Sequence, residues 1–201
     1  MDYKIQDEMS YNEEVFESKE YEHSEFISCE FYDCSFIKCS FSEAVFNACR
    51  FVNCNFLQCD LSLLQLKGSK FSDIHFEDSK IVGVDWTQAN WAGARLGKPP
   101  SFLRCDISHS TFLGLDLRKL EVKDSKAKNV DFRDASLEKA NFEGTDFSKS
   151  LFGKTILCEA DLSKARNYHI VPGENDLKGT KFSLPEAMSL LYSLDIVLVE
   201  R

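Results

Sequence analysis

The chain has no run of eighteen apolar residues, and its opening stretch from Met1 to Ser10 lacks a basic segment leading into an apolar one. Neither a membrane-spanning helix nor a secretory leader is expected, so the chain is read as a soluble cytoplasmic protein with no membrane partner. Nucleophile-elbow, Walker A and dinucleotide-binding glycine patterns are also missing, and His23, His75, His109 and His169 stand far apart. That inventory supports no enzyme, no resident metal and no cofactor. Cysteine is present, but not as two knuckles that close on one zinc ion. The short spacings among the eight cysteines of the 201 residues are x4 steps in a run, or multiples of that step, with no histidine nearby. Their density is below that of a small secreted disulfide framework, so free thiols in a reducing compartment are expected.

What the chain has instead is a period of five. From Phe16 to Leu96 every fifth residue is apolar, and after a one-residue slip across residues 97–101 the series resumes from Phe102 to Leu162 without exception. All seventeen phenylalanines lie on these registers, ten on the first, six on the second and Phe182 on its continuation. A period of five is neither helical nor that of an ordinary strand, and it marks a repeat architecture. Two residues before most centres stands a small side chain, among them Cys29, Cys34, Cys39, Ala44, Cys49, Cys54, Cys59, Cys105, Ser125 and Ala140. Only Cys158 among the cysteines falls outside this slot. The slot is expected to point inward, where a free cysteine acts as a small hydrophobe. The other three positions are mostly polar and form the outer face, so Phe51 is expected to matter for stability and the outward Asn53 to matter little. Asp85, Asp116, Asp131, Asp146 and Asp161 each precede a centre, where hydrogen bonding to turn backbone is expected rather than acid–base chemistry.

The units Ala135-Ser136-Leu137, Ala140-Asn141-Phe142 and Ala160-Asp161-Leu162 resemble the A(D/N)LXX pattern of the pentapeptide-repeat proteins. That resemblance covers about residues 14–182. It implies an all-β solenoid, a right-handed quadrilateral β-helix with four five-residue faces per coil, in which residues twenty apart stack. Phe16, Phe36, Phe56 and Phe76 then form one column, and Phe31, Phe51, Phe71 and Trp91 another. Cys29, Cys34 and Cys39 lie under Cys49, Cys54 and Cys59. With coils about 4.8 Å apart, the rod is on the order of 40 Å long. The resulting division is an N-terminal segment over 1–13, the β-helix over 14–182, and a C-terminal helix and strand over 183–201.

Residues 167–176 read as a loop from their Pro-Gly and Asn-Asp content. Ser183 and Glu186 match a capping box, followed by apolar residues at helical spacing and a short apolar strand over 196–199. This tail either plugs its own open coil or joins two copies through Leu184, Met188, Leu191, Leu194, Ile196 and Leu198. It resembles the tail of the pentapeptide-repeat proteins that protect DNA gyrase, which implies a homodimer of rods joined end to end, with DNA gyrase or topoisomerase IV as partner. Charge is uneven: residues 1–43 contain twelve Asp and Glu against Lys4, Lys19 and Lys38, a net of −9 that equals the charge of the whole chain. The acidic surface of Glu17, Glu20, Glu22, Glu25, Glu30, Asp33 and Glu43 is therefore a candidate for standing in for duplex phosphates in a basic, DNA-binding site, with no direct nucleic-acid binding. The alternatives are that these acids only keep an exposed coil soluble, and that the rod is a scaffold for an unrelated partner. The one-residue slip also implies that the long loops of many quinolone-resistance members are lacking.

Overall fold

The computed structural model describes residues 5–91, 97–194 and 196. Three-residue strands pair in parallel with the strand one coil on. Ser10–Asn12 lies beside Glu30–Tyr32, then Arg50–Val52, then Lys70–Ser72, in steps of twenty residues. Among the described residues sixteen isolated bridges continue the ladder where strands are too short to form, out to Ile156 beside Asp176. The chain is the quadrilateral β-helix of about eight coils that the repeat implies. Its first face carries the column Tyr11, Phe31, Phe51 and Phe71, and its second the column Phe16, Phe36, Phe56, Phe76 and Phe102. The third face is built on Tyr21, Phe41 and Leu61, and the fourth on Phe26 and Phe46. Among the described residues no helix is long and apolar enough to cross a membrane.

The period of five follows from how one face closes into the next. Most centres point inward and are buried, and aromatic ones stack coil on coil: Phe31 on Phe51 at 4.8 Å and Phe36 on Phe56 at 4.6 Å between centroids. Two residues later the backbone turns through the left-handed region, as at Glu13 (φ 55°), Asp33 (φ 55°), Asn53 (φ 52°) and Lys139 (φ 60°). That conformation costs a non-glycine residue about 1–2 kcal/mol. The corner N–H is compensated by a bond to the next coil, Glu13 to the Tyr32 carbonyl at 2.9 Å and Asn53 to the Ser72 carbonyl at 3.0 Å.

The small inward slot does more than save space. Ser69 Oγ donates to the Phe46 carbonyl at 2.8 Å and Thr145 Oγ to the Val122 carbonyl at 2.6 Å, each reaching 23 residues back to the centre of the preceding coil. Cysteine makes the same bond with sulfur, as from Cys59 Sγ to the Phe36 carbonyl at 3.3 Å. The slot thus satisfies a buried carbonyl that would otherwise lack a partner. Aspartates ahead of a centre accept from the N–H two residues on, Asp85 from Thr87 at 3.0 Å and Asp161 from Ser163 at 2.9 Å. That is the expected turn role.

Several expectations are corrected. The slip near residue 97 is six residues rather than one, since Phe76 pairs with Phe102 and Ser101 donates to the Ile74 carbonyl. Asn90 still bonds to the Ser69 carbonyl, and Lys98 and Asp73 close the other side, so the extra residues lie between Asn90 and Lys98. Trp91 makes no ring contact with Phe71 among the described residues; it is half-buried against the core and donates Nε1 to the Trp86 carbonyl at 2.9 Å. Leu96 lies outside the described residues.

Residues 167–175 form the expected loop, with no strand or bridge before Asp176, but they do not end the rod. The twenty-residue register persists from Ile156 to Asp176 and from Leu162 to Phe182, with Tyr168 and Ile170 buried in the core. Nor do Ser183 and Glu186 cap a helix: the helix is Met188–Tyr192, and its N-cap, Ala187, makes no side-chain bond. At the other end the ladder begins ahead of residue 14, because Tyr11 already occupies a centre on the same phase and stacks on Phe31 at 5.1 Å.

Candidate functional site

All seven candidate acids, Glu17, Glu20, Glu22, Glu25, Glu30, Asp33 and Glu43, are exposed. They do not share one face. Glu17 flanks Phe16 on the second face, Glu20, Glu22 and Glu43 lie on the third, Glu25 flanks Phe26 on the fourth, and Glu30 and Asp33 belong to the first. The arrangement is a collar around the first coils, because flanking positions of successive pentapeptides point to successive sides of the rod.

Their local partners are neutral or weakly basic. Ser40 donates to Glu22 at 2.8 Å, Asn47 to Glu25 at 3.2 Å, Tyr32 to Glu30 at 3.2 Å and Asn53 to Asp33 at 2.5 Å, while His23 lies 3.4 Å from Glu43. Among the described residues none of the seven forms an ion pair with lysine or arginine. Farther along the rod the acids are matched: Arg104 lies 2.8 Å from Asp78 and also pairs with Glu77, Arg118 lies 2.9 Å from Asp116, Arg133 2.7 Å from Asp131 and Lys164 2.8 Å from Glu143. These pairs hold Asp78, Asp131 and Glu143 below the usual carboxylate range, in each case chiefly through the hydrogen bond from the basic partner. Burial pushes Asp146 up, but bonds from Ser148 and Asn167 and the Lys128 charge outweigh it and bring the carboxyl to about 2.

The C-terminal end is closed by side chains that replace a missing coil. Within the rod, a corner N–H donates to the carbonyl nineteen residues on, as Lys139 does to Cys158 at 2.8 Å. For Lys164 that carbonyl is Ser183's, which accepts from the Ala187 N–H at 3.0 Å, and the Lys164 N–H donates instead to Ser183 Oγ at 3.1 Å, while the Asn167 N–H donates to Glu186 Oε1. The Ser/Glu pair was visible in the sequence, but its target is the rod end. Above this cap, Leu184, Leu191, Leu194 and Ile196 are exposed, and Leu184 is 78% exposed. Met188 is only half exposed, and Leu190 packs against the core. Leu198 lies outside the described residues, as do residues 197–199 of the expected terminal strand. Tyr192, absent from the sequence-based set, adds 65% of its surface to the exposed apolar group.

The described pentapeptide repeat region matches residues 29–99, and a second pentapeptide-repeat pattern of eight copies matches residues 123–153. The chain is a pentapeptide-repeat protein. No curated protein matches it by sequence. Its fold is similar to that of a trypsin-treated variant of QnrB1, a plasmid-mediated fluoroquinolone resistance protein, with a TM-score of 0.80 at 17% identity over 96% of this chain and 99% of that one. A second trypsin-treated QnrB1 variant gives 0.63 at 18% identity, covering 94% and 100%. HetL, a pentapeptide-repeat protein involved in heterocyst differentiation regulation in the cyanobacterium Nostoc sp., gives 0.58 at 15% identity, covering 87% and 85%.

Proposed function

We propose that this pentapeptide-repeat protein acts without catalysis, as a DNA-mimicking partner of DNA gyrase or topoisomerase IV that protects the enzyme from a gyrase-directed poison. The observation that carries the reading is the contrast along the rod: among the described residues, the seven exposed acids of the first coils form no ion pair with lysine or arginine, while matched pairs lie beyond them. A collar of like charge on a stiff rod fits a basic groove that encloses a duplex better than a flat basic surface, since every side of the collar then meets opposite charge. Likeness of fold to a fluoroquinolone resistance protein agrees with this reading.

The exposed group of Leu184, Leu191, Tyr192, Leu194 and Ile196 supports a homodimer joined through the C-terminal ends, which places an acidic collar at each tip. The direct test is gyrase supercoiling and poison-induced cleavage titrated with purified protein. The reading requires a dose-dependent change in one or both, and no effect at tens of micromolar protein removes it.

A further inference from the structure

Six of the eight cysteines form three stacks across one coil boundary, Cys29 with Cys49, Cys34 with Cys54 and Cys39 with Cys59, all buried as free thiols. Partners in a stack make equivalent bonds. Cys29 Sγ donates to the Gln6 carbonyl at 3.3 Å and Cys49 Sγ to that of Phe26 at 3.2 Å. Cys34 reaches Tyr11 at 3.5 Å and Cys54 reaches Phe31 at 3.4 Å; Cys39 and Cys59 reach Phe16 and Phe36, each at 3.3 Å. The two sulfurs of a pair are therefore in register, one coil apart, a rise of about 4.8 Å.

That spacing has a chemical meaning. A thiolate–metal bond is about 2.3 Å for zinc, so an ion midway between two sulfurs one coil apart has both at bonding distance on opposite sides, a linear two-coordinate site. Among the described residues no three His, Cys, Asp or Glu side chains converge on a point. The pairs thus lack the four ligands of structural zinc, but thiolate pairs suit soft monovalent cations. Exchange of one proton for one such cation leaves the buried charge unchanged, which avoids placing a net charge in the core.

We propose that the three stacked pairs are binding sites for a thiophilic monovalent cation of the Cu(I) class, one ion per pair. Binding breaks one S–H bond, releases that proton to solvent, and joins the ion to one thiolate and one neutral thiol with no change of oxidation state. The chain supplies its own control. In the next coil Ser69 and Ser79 occupy the same slot and donate the same bonds, to the Phe46 carbonyl at 2.8 Å and the Phe56 carbonyl at 3.2 Å. Cysteine-to-serine substitution in a pair is therefore expected to preserve the fold while removing the soft ligand.

The test uses reduced native protein, incubated overnight with Ag(I) as an air-stable probe and freed of loose ion by dialysis against a weak competitor. Bound metal is counted by elemental analysis and released protons by titration at constant pH. The expected result is three ions and three protons per chain, falling by one ion in Cys34→Ser and to none in Cys29→Ser/Cys34→Ser/Cys39→Ser, with Zn(II) not retained. The single variants carry the test should the triple variant lose its fold. The proposal is overturned if native protein retains no silver, or if the serine variants retain as much as the native chain.

Discussion

Phe51 and Asn53 are two residues apart and do opposite things. Phe51 is 1% exposed and sandwiched between Phe31 and Phe71, with centroids at 4.8 and 5.3 Å. Phe51→Ala should cost about 3–5 kcal/mol in equilibrium unfolding, the range for emptying a core site of that size. Its outward phase marks Asn53 as dispensable, but the structure places it at a corner with φ 52° and its side chain on Asp33. Asn53→Ala should therefore cost about 1 kcal/mol from the left-handed backbone, while Asn53→Gly stays near neutral. Equal losses for Phe51→Ala and Asn53→Ala would contradict this assignment of inside and corner. Asp146 gives a second residue-scale test. Its folded pKa of about 2 lies below the ordinary 3.8, so its contribution is complete above about pH 4 and disappears as pH falls through 2. The effect is on the order of 2 kcal/mol, and acid titration of Asp146→Asn should lack that slope; an unchanged slope would assign it elsewhere.

At the scale of elements, the sequence shows phase more surely than count. Trp91 and Leu96 continue the apolar series, and a slip read from a period of five is defined only modulo five, so one extra residue and six look alike. Only the pairing of Phe76 with Phe102 separates them. The segment over 167–176 is a loop, as Pro172 and Gly173 signal, and Tyr168 and Ile170 within it keep the core filled, so that the twenty-residue register resumes at Asp176. Ser183 and Glu186 carry the right chemistry for capping, and tertiary context redirects it from a helix to the Lys164 and Asn167 amides. Glu186→Ala should accelerate hydrogen exchange at Asn167 by about fivefold or more, the equivalent of about 1 kcal/mol for a lost cap, without affecting exchange at Phe51. Unchanged exchange at Asn167 would mean that the tail does not close the rod. Charges at Leu191 and Leu194, both exposed, should convert a dimer to monomers in light scattering. A native protein already monomeric at micromolar concentration would remove the end-to-end arrangement.

For the whole molecule, a repeat was legible because the seventeen phenylalanines all lie on two registers of period five, and its coil geometry because the A(D/N)LXX units resemble those of pentapeptide-repeat proteins. The acidic end was legible as composition, since twelve of the acids fall within residues 1–43. Its shape was not, because composition carries no angle: the turn of the rod spreads Glu17, Glu20, Glu25 and Glu30 over four faces, and the side chains that hydrogen-bond to Glu22, Glu25 and Glu30 are Ser40, Asn47 and Tyr32. The central claim is that this collar is read as duplex charge. The most direct measurement is the affinity of purified gyrase for the native protein and for Glu17→Lys/Glu22→Lys/Glu25→Lys/Glu30→Lys, each across a salt series and with duplex DNA as competitor. The account predicts that native binding weakens as salt rises, because exposed charges are screened within about 10 Å at 0.1 M, that duplex DNA competes, and that the reversed variant loses at least tenfold in affinity with its unfolding curve intact. Reversal of Lys149, Lys154 and Lys164 should have a smaller effect. Native-like binding by the folded Glu→Lys variant, or salt-independent binding indifferent to duplex DNA, would contradict the claim.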